Sequence, residues 1–94
     1  MTVNVVRLTS GEELIAKVAW NPREGWDLKN PLILLPTEDN KLTFATWLPY
    51  LKGDTLFVYK DSVLFMFEPI TEMSDHYVKS TSKIDLSATS SLII

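Results

Sequence analysis

The stretch Leu56-Phe57-Val58-Tyr59-Lys60-Asp61-Ser62-Val63-Leu64-Phe65-Met66-Phe67-Glu68 decides how this chain is read. Two short β-rich runs, Leu56–Tyr59 and Val63–Glu68, flank a tight polar corner, Lys60-Asp61-Ser62. The second run is apolar on both of its faces, because Val63, Phe65 and Phe67 alternate with Leu64 and Met66. A sheet with one wet face alternates apolar and polar residues, so both faces of this strand are expected to be covered.

The same texture extends in both directions. Towards the N-terminus, Val3–Leu8 is β-rich, Thr9-Ser10-Gly11-Glu12 is a turn, and Glu13–Trp20 is a second run. Leu14, Ala16, Val18 and Trp20 share one of its faces. Gly11 can adopt positive φ, so the two runs predict a hairpin. The rival is a helix over Ser10–Val18, because Ser10 and Glu13 form a capping-box pattern; the short segment and β-rich neighbours favour strand. Asn21–Gly25 is a loop. Trp26–Leu35 follows, with Pro31 marking an edge, bulge or bend. After the Pro36–Asn40 turn, Lys41–Tyr50 reads as a strand with Leu42, Phe44, Thr46 and Leu48 on one face. Leu51–Thr55 returns the chain to the opening stretch.

Beyond it the pattern changes. Ile70, Met73 and Tyr77 stand three and four residues apart, which predicts a short helix over Pro69–Lys79 with the proline near its first turn. Residues 80–94 are rich in Ser and Thr and predict a loose tail, with Leu92, Ile93 and Ile94 able to tie it down. Short strands, sharp corners and two covered faces together predict an all-β fold, a small and strongly bent five-stranded antiparallel barrel with a short C-terminal helix. Leu14, Val18, Phe44, Leu48, Val63 and Phe65 are its expected core. Residues 1–79 form the domain and 80–94 its tail.

With 94 residues, 46% of them apolar, one domain has more apolar surface than a small monomer readily covers. Contacts between copies are therefore expected. No cysteine is present, so disulfides, thiolate nucleophiles and cysteine zinc sites are excluded, in keeping with a cytoplasmic setting. The start of the chain lacks a secretory-signal pattern. Its apolar runs are too short to span a bilayer as a helix. A net charge of −3 without a basic block argues against broad attraction to nucleic acid, though it permits a local basic patch.

Chemistry is sparse. His76 is the only histidine, and Asp75-His76 suggests a dyad without a third partner; a surface helix residue is the simpler account. Carboxylates at Glu12-Glu13 and Glu38-Asp39 lie at turns, where they are solvated rather than metal-binding. Gly11, Gly25 and Gly53 are isolated and make no phosphate loop. Neither a catalytic residue nor a metal or other cofactor is expected. Most aromatic residues suit a core or an interface. Tyr59 beside Lys60 is the exception, a ring and a cation at one exposed corner.

The order of these elements resembles the Sm fold. Val5–Leu14 is similar to the first Sm strand pair. Phe57-Val58-Tyr59-Lys60-Asp61-Ser62-Val63 is similar to the second Sm motif, and Tyr59-Lys60 matches the Tyr-Lys of the bacterial Hfq version, with Asp61 in place of its His. Leu8–Glu13, Asn30-Pro31 and Trp47–Tyr50 resemble the pattern of Sm-like proteins attributed to marine cyanophages. The resemblance covers about Val3 to Tyr77. It implies a homo-oligomeric ring, with about five to seven copies in cyclic symmetry. It also implies single-stranded RNA as a partner at the pore, with Asn30, Tyr59 and Lys60 as RNA-binding residues and the host cytoplasm as the setting. The competing reading is a phage accessory or structural assembly module that uses the same ring without nucleic acid. An enzyme is a distant third.

Overall fold

The expected hairpin forms around Gly11, whose φ of 109° is the positive value that glycine adopts without penalty. Leu8 N–H donates to the Glu12 carbonyl and Gly11 N–H to the Leu8 carbonyl, each at 2.9 Å, and these bonds close the turn. The helical rival is absent here. Ser10 instead donates its hydroxyl to the Glu12 carboxylate, which lowers the pKa of that exposed group, helped by a backbone hydrogen bond.

The computed structural model describes residues 1–86, with side-chain surroundings as far as Thr81. The strands are β1 (Thr2–Leu8), β2 (Glu13–Asn21), β3 (Gly25–Pro36), β4 (Leu42–Thr46), β5 (Thr55–Tyr59) and β6 (Val63–Phe67). A single 3-10 turn, Lys60–Ser62, joins β5 to β6, and α1 (Thr71–Leu86) follows. One antiparallel sheet runs β4-β3-β2-β1-β6, with β5 also on β3. It counts 6 strands, one for each β run of the sequence and one more than the five of the expected barrel; β4 and β5 share a single edge of β3. Gly25–Lys29 pair with β5, and Leu32–Pro36 pair with β4. Among the described residues no ladder joins β5 to β6, so hydrogen bonds do not close the sheet.

The sheet nevertheless wraps around its own core. Val6, Leu8, Leu14, Ala16, Val18 and Leu28 form a buried cluster. Val58 from β5 and Val63 and Met66 from β6, at opposite ends of the sheet, all pack against it. Only a curled sheet brings both ends to one cluster. The other face carries Val5, Ile15, Leu32 and Leu34, covered by Tyr77 of α1 with Met73 and Phe44 beside it. This is why β1, β2 and β3 are apolar on both sides; β6, expected to be covered on both faces, keeps Phe65 and Phe67 exposed on the helix side.

Three expectations need correcting. Phe65 is not core: it stands 45% exposed, because β6 bulges at Leu64 and Phe65 pairs with Arg7 on the helix-side face. Leu48 lies in the turn after β4, not in a strand, and is only partly buried; Phe44 and Val63 pack on the edges of the two clusters. The helix also outruns its expected end at Lys79, reaching Leu86. Ser80 and Thr81 turn their hydroxyls back onto the carbonyls of His76 and Tyr77, at 2.8 and 3.1 Å. These bonds satisfy polar side chains within a helix, so a Ser/Thr-rich segment need not be loose. Residues 87–94 of the expected tail lie outside the described residues.

Leu14 is fully buried, so Leu14→Ala should lower the unfolding free energy by about 2–5 kcal/mol. Phe65→Ala should lower it by less than about 1 kcal/mol in the monomeric unit, as expected of an exposed side chain. Urea denaturation of the two variants at one protein concentration measures the contrast.

Candidate functional site

The β2–β3 turn is built by Asn21. Its side-chain oxygen accepts from Arg23 N–H at 2.9 Å, and its carbonyl accepts from Glu24 N–H at 3.1 Å. Its amide donates to both carboxylate oxygens of Asp27, at 3.0 and 3.2 Å. Such local side-chain bonds are what favour Asn in turns. The turn ends at Gly25, which pairs with Tyr59. A Cβ at Gly25 would collide with the Val58 carbonyl oxygen and stand 2.6 Å from the Phe57 ring. Here glycine serves close approach, since its φ is not among the positive ones.

That approach docks the 3-10 corner onto the turn. Lys60 N–H donates to the Glu24 carbonyl at 3.0 Å, and Lys60 Nζ lies 3.5 Å from the Glu24 carboxylate. On the other side, Thr9 N–H donates to the Ser62 carbonyl at 2.9 Å, tying the corner to the β1–β2 turn as well. The Arg23 guanidinium lies 4.6 Å from the centre of the Phe57 ring. Tyr59 meets Phe57 edge-on at 4.9 Å and remains 59% exposed. Trp20 and Trp26 meet edge-on at 4.9 Å close by in register, with Trp20 exposed. The end of the molecule bearing the β2–β3 turn thus presents two cations, three anions (Glu24, Asp27 and Asp61) and several accessible rings.

Tyr59 and Lys60 therefore sit together, with Arg23, Glu24 and Phe57 around them. Asn30 does not join them. The register runs from Gly25 opposite Tyr59 to Lys29 opposite Thr55, which puts Asn30 about 16 Å along the ladder. Asn30 is instead a backbone device, with φ of 52° at the point where β3 changes partner. Its N–H donates to the Asp54 carbonyl, and its own carbonyl accepts the Tyr77 hydroxyl at 2.8 Å, as the Lys29 carbonyl does at 3.0 Å.

The sequence reading missed Arg23 and Phe57, which lie far apart in the chain and meet only through the β3–β5 register. His76 packs against Phe44, with ring centres 5.0 Å apart. Among the described residues no group of three or more His, Asp or Glu side chains is placed to hold a metal ion, and no helix is long and apolar enough to cross a membrane. No family model matches the chain, and no curated protein matches it.

Gly25→Ala should destabilise the fold by about 1–3 kcal/mol, because the added methyl must push Phe57 and the β5 backbone away. Lys60→Ala should cost less than about 1 kcal/mol, since its ion pair is solvent-exposed. Thermal or urea unfolding of both variants tests that ranking.

Proposed function

We propose that the chain is the subunit of an Sm-like ring, joined edge to edge through β5 and β6, which binds single-stranded RNA beside the Tyr59–Lys60 corner. The observation that carries this reading is that β5, which shares one edge of β3 with β4, and β6 stand at opposite ends of the sheet and are linked by one 3-10 turn. Both end strands keep an unpaired edge among the described residues. An unpaired edge is a template for another chain, and β5 of one copy against β6 of the next satisfies both in a closed cycle. The curled sheet, apolar on both faces, is in keeping with a strongly bent barrel.

RNA as the ligand rests on chemistry at the corner. Tyr59 offers an accessible ring for stacking, Arg23 a guanidinium already lying on an aromatic face, and Lys60 an ammonium for phosphate or a base carbonyl. A ring repeats this set in every copy. Asn30 stands about 16 Å along the β3 ladder from this corner.

One observation favours the second reading, an assembly module without nucleic acid. Lys60 is already paired with Glu24, Asp61 adjoins it, and the corner carries more anions than cations. RNA would have to displace Glu24 to reach Lys60.

Sedimentation at micromolar protein should give a closed oligomer; a monomer alone would rule out the ring. Titration with oligo-U and oligo-A at two salt concentrations then separates the readings. Under the RNA reading, Lys60→Ala weakens binding and flattens the slope of log K against log salt by about 0.7 for each phosphate that the lysine neutralises. Tyr59→Ala removes about 1–3 kcal/mol for each base it stacks. A ring that takes up neither oligonucleotide at low salt would be the assembly module.

A further inference from the structure

Two aromatic pairs stand bare beside two open edges of the sheet. Phe65 and Phe67 of β6 stack with ring centres 6.2 Å apart and are 45% and 49% exposed. Phe57 and Tyr59 of β5 meet edge-on, with Phe57 half-buried and Tyr59 exposed. Among the described residues β6 pairs only with β1 and β5 only with β3, so each keeps one edge unpaired. Neither Thr55–Tyr59 nor Val63–Phe67 contains a charged residue or a proline, the usual guards of an exposed edge. Apolar rings beside an unguarded edge are an aggregation hazard unless something covers them.

Both pairs lie on the helix-side face of the sheet. Phe67 stands opposite Val5, which belongs to the cluster under Tyr77, and Phe65 stands opposite Arg7, two residues further along β1. On β3, Trp26 and Leu28 pack in the interior cluster, and their partners in β5 are Val58 and Leu56. Phe57 and Tyr59 alternate with those two and therefore take the other face. Phe57 and Phe65 are also the middle residues of two five-residue strands. Full overlap of β5 with the β6 of a second copy sets them opposite each other whichever way the strands run. Strands side by side are about 5 Å apart, which is within ring contact. The charges agree as well. The Arg23 guanidinium lies over Phe57, an exposed Glu68 follows Phe67, and among the described residues neither makes an ion pair.

We propose that Phe57 and Tyr59 of one copy pack against Phe65 and Phe67 of the next, forming a cluster of four rings that no single copy completes. The occupant of each bare strip is thus a second copy of this chain. The proposal rests on the ring reading and deepens it. Backbone pairing at an open edge accepts any strand, whereas the four rings select β5 against β6 and fix which faces of the two strands match. The cluster forms with or without RNA. Tyr59→Ala then acts on assembly as well as on base stacking, and sedimentation beside the titration separates the two effects.

Phe65 contributes little to the fold of one copy, so Phe65→Glu reports on assembly. Sedimentation should show its oligomer dissociating at a protein concentration at least about ten-fold higher than the parent's, with an unchanged far-UV circular dichroism spectrum. Leu42→Glu, at an apolar residue 54% exposed on β4, should leave that concentration unchanged. The absence of native cysteine allows a second, independent measurement. Chains carrying Tyr59→Cys and chains carrying Phe65→Cys, with different tags, are co-expressed and treated with a short bismaleimide at a concentration where sedimentation shows the oligomer. The expected product is a covalent dimer bearing both tags. A control pairing Tyr59→Cys with Asp39→Cys, at the exposed β3–β4 turn, should give at least about five-fold less. An oligomer unaffected by Phe65→Glu overturns the cluster and leaves the ring standing. Equal weakening by Leu42→Glu does the same, as does a mixed dimer no more abundant than the control. A parent chain that sediments only as a monomer overturns the ring, and the cluster with it.

Discussion

The fold depends on one break in one strand. β3 pairs with β2 along one side, but its other side is divided between β5 and β4, and the division falls at Asn30-Pro31. A buried strand cannot change partners without stranding backbone groups, and unpaired buried groups are costly. Here the groups around Asn30 are provided for. Pro31 has no N–H to satisfy. Asn30 N–H finds Asp54, and the carbonyls of Lys29 and Asn30 share the Tyr77 hydroxyl. Asn is among the few residues that enter the left-handed region at modest cost, and φ at Asn30 is 52°.

That break also fixes where everything else lies. It lets β3 bend, so the sheet can curl until β5 and β6 reach the same interior cluster. It pins α1, because Tyr77 is fully buried and bonded to the break itself. It frees the first part of β3 for β5, and so sets Gly25 opposite Tyr59. The candidate site follows from that register: the Tyr59–Lys60 corner is held by the Glu24 carbonyl on one side and by Thr9 on the other.

The electrostatics of that corner are balanced rather than basic. Glu24 neutralises Lys60 at the surface, and the Arg23 charge rests on the Phe57 face. An exposed ion pair is worth little in stability, so Lys60 can exchange partners at low cost. Its location therefore matters more than its pairing. The aromatic residues are held more firmly, since the ring of Phe57 fills the space that Gly25 leaves open.

What can be read directly from the sequence is local. The Gly11 hairpin, the Lys60–Ser62 corner, the doubly apolar strands and the start of a helix near Pro69 are properties of a few neighbouring residues, where turn chemistry and alternation act within a short window. The length of α1 escapes such a reading, because Ser80 and Thr81 favour loops only until their hydroxyls find helix carbonyls. Alternation puts Phe65 inside because it assumes an unbroken register, and the bulge at Leu64 breaks it. The pairing of Tyr59 with Lys60 is legible in their adjacency, but their neighbours Arg23, Glu24 and Phe57, and the separation of Asn30 from all of them, are not. Those depend on which stretch of β3 each partner strand takes. That choice is made by contacts between residues far apart in the chain, and no local pattern encodes it.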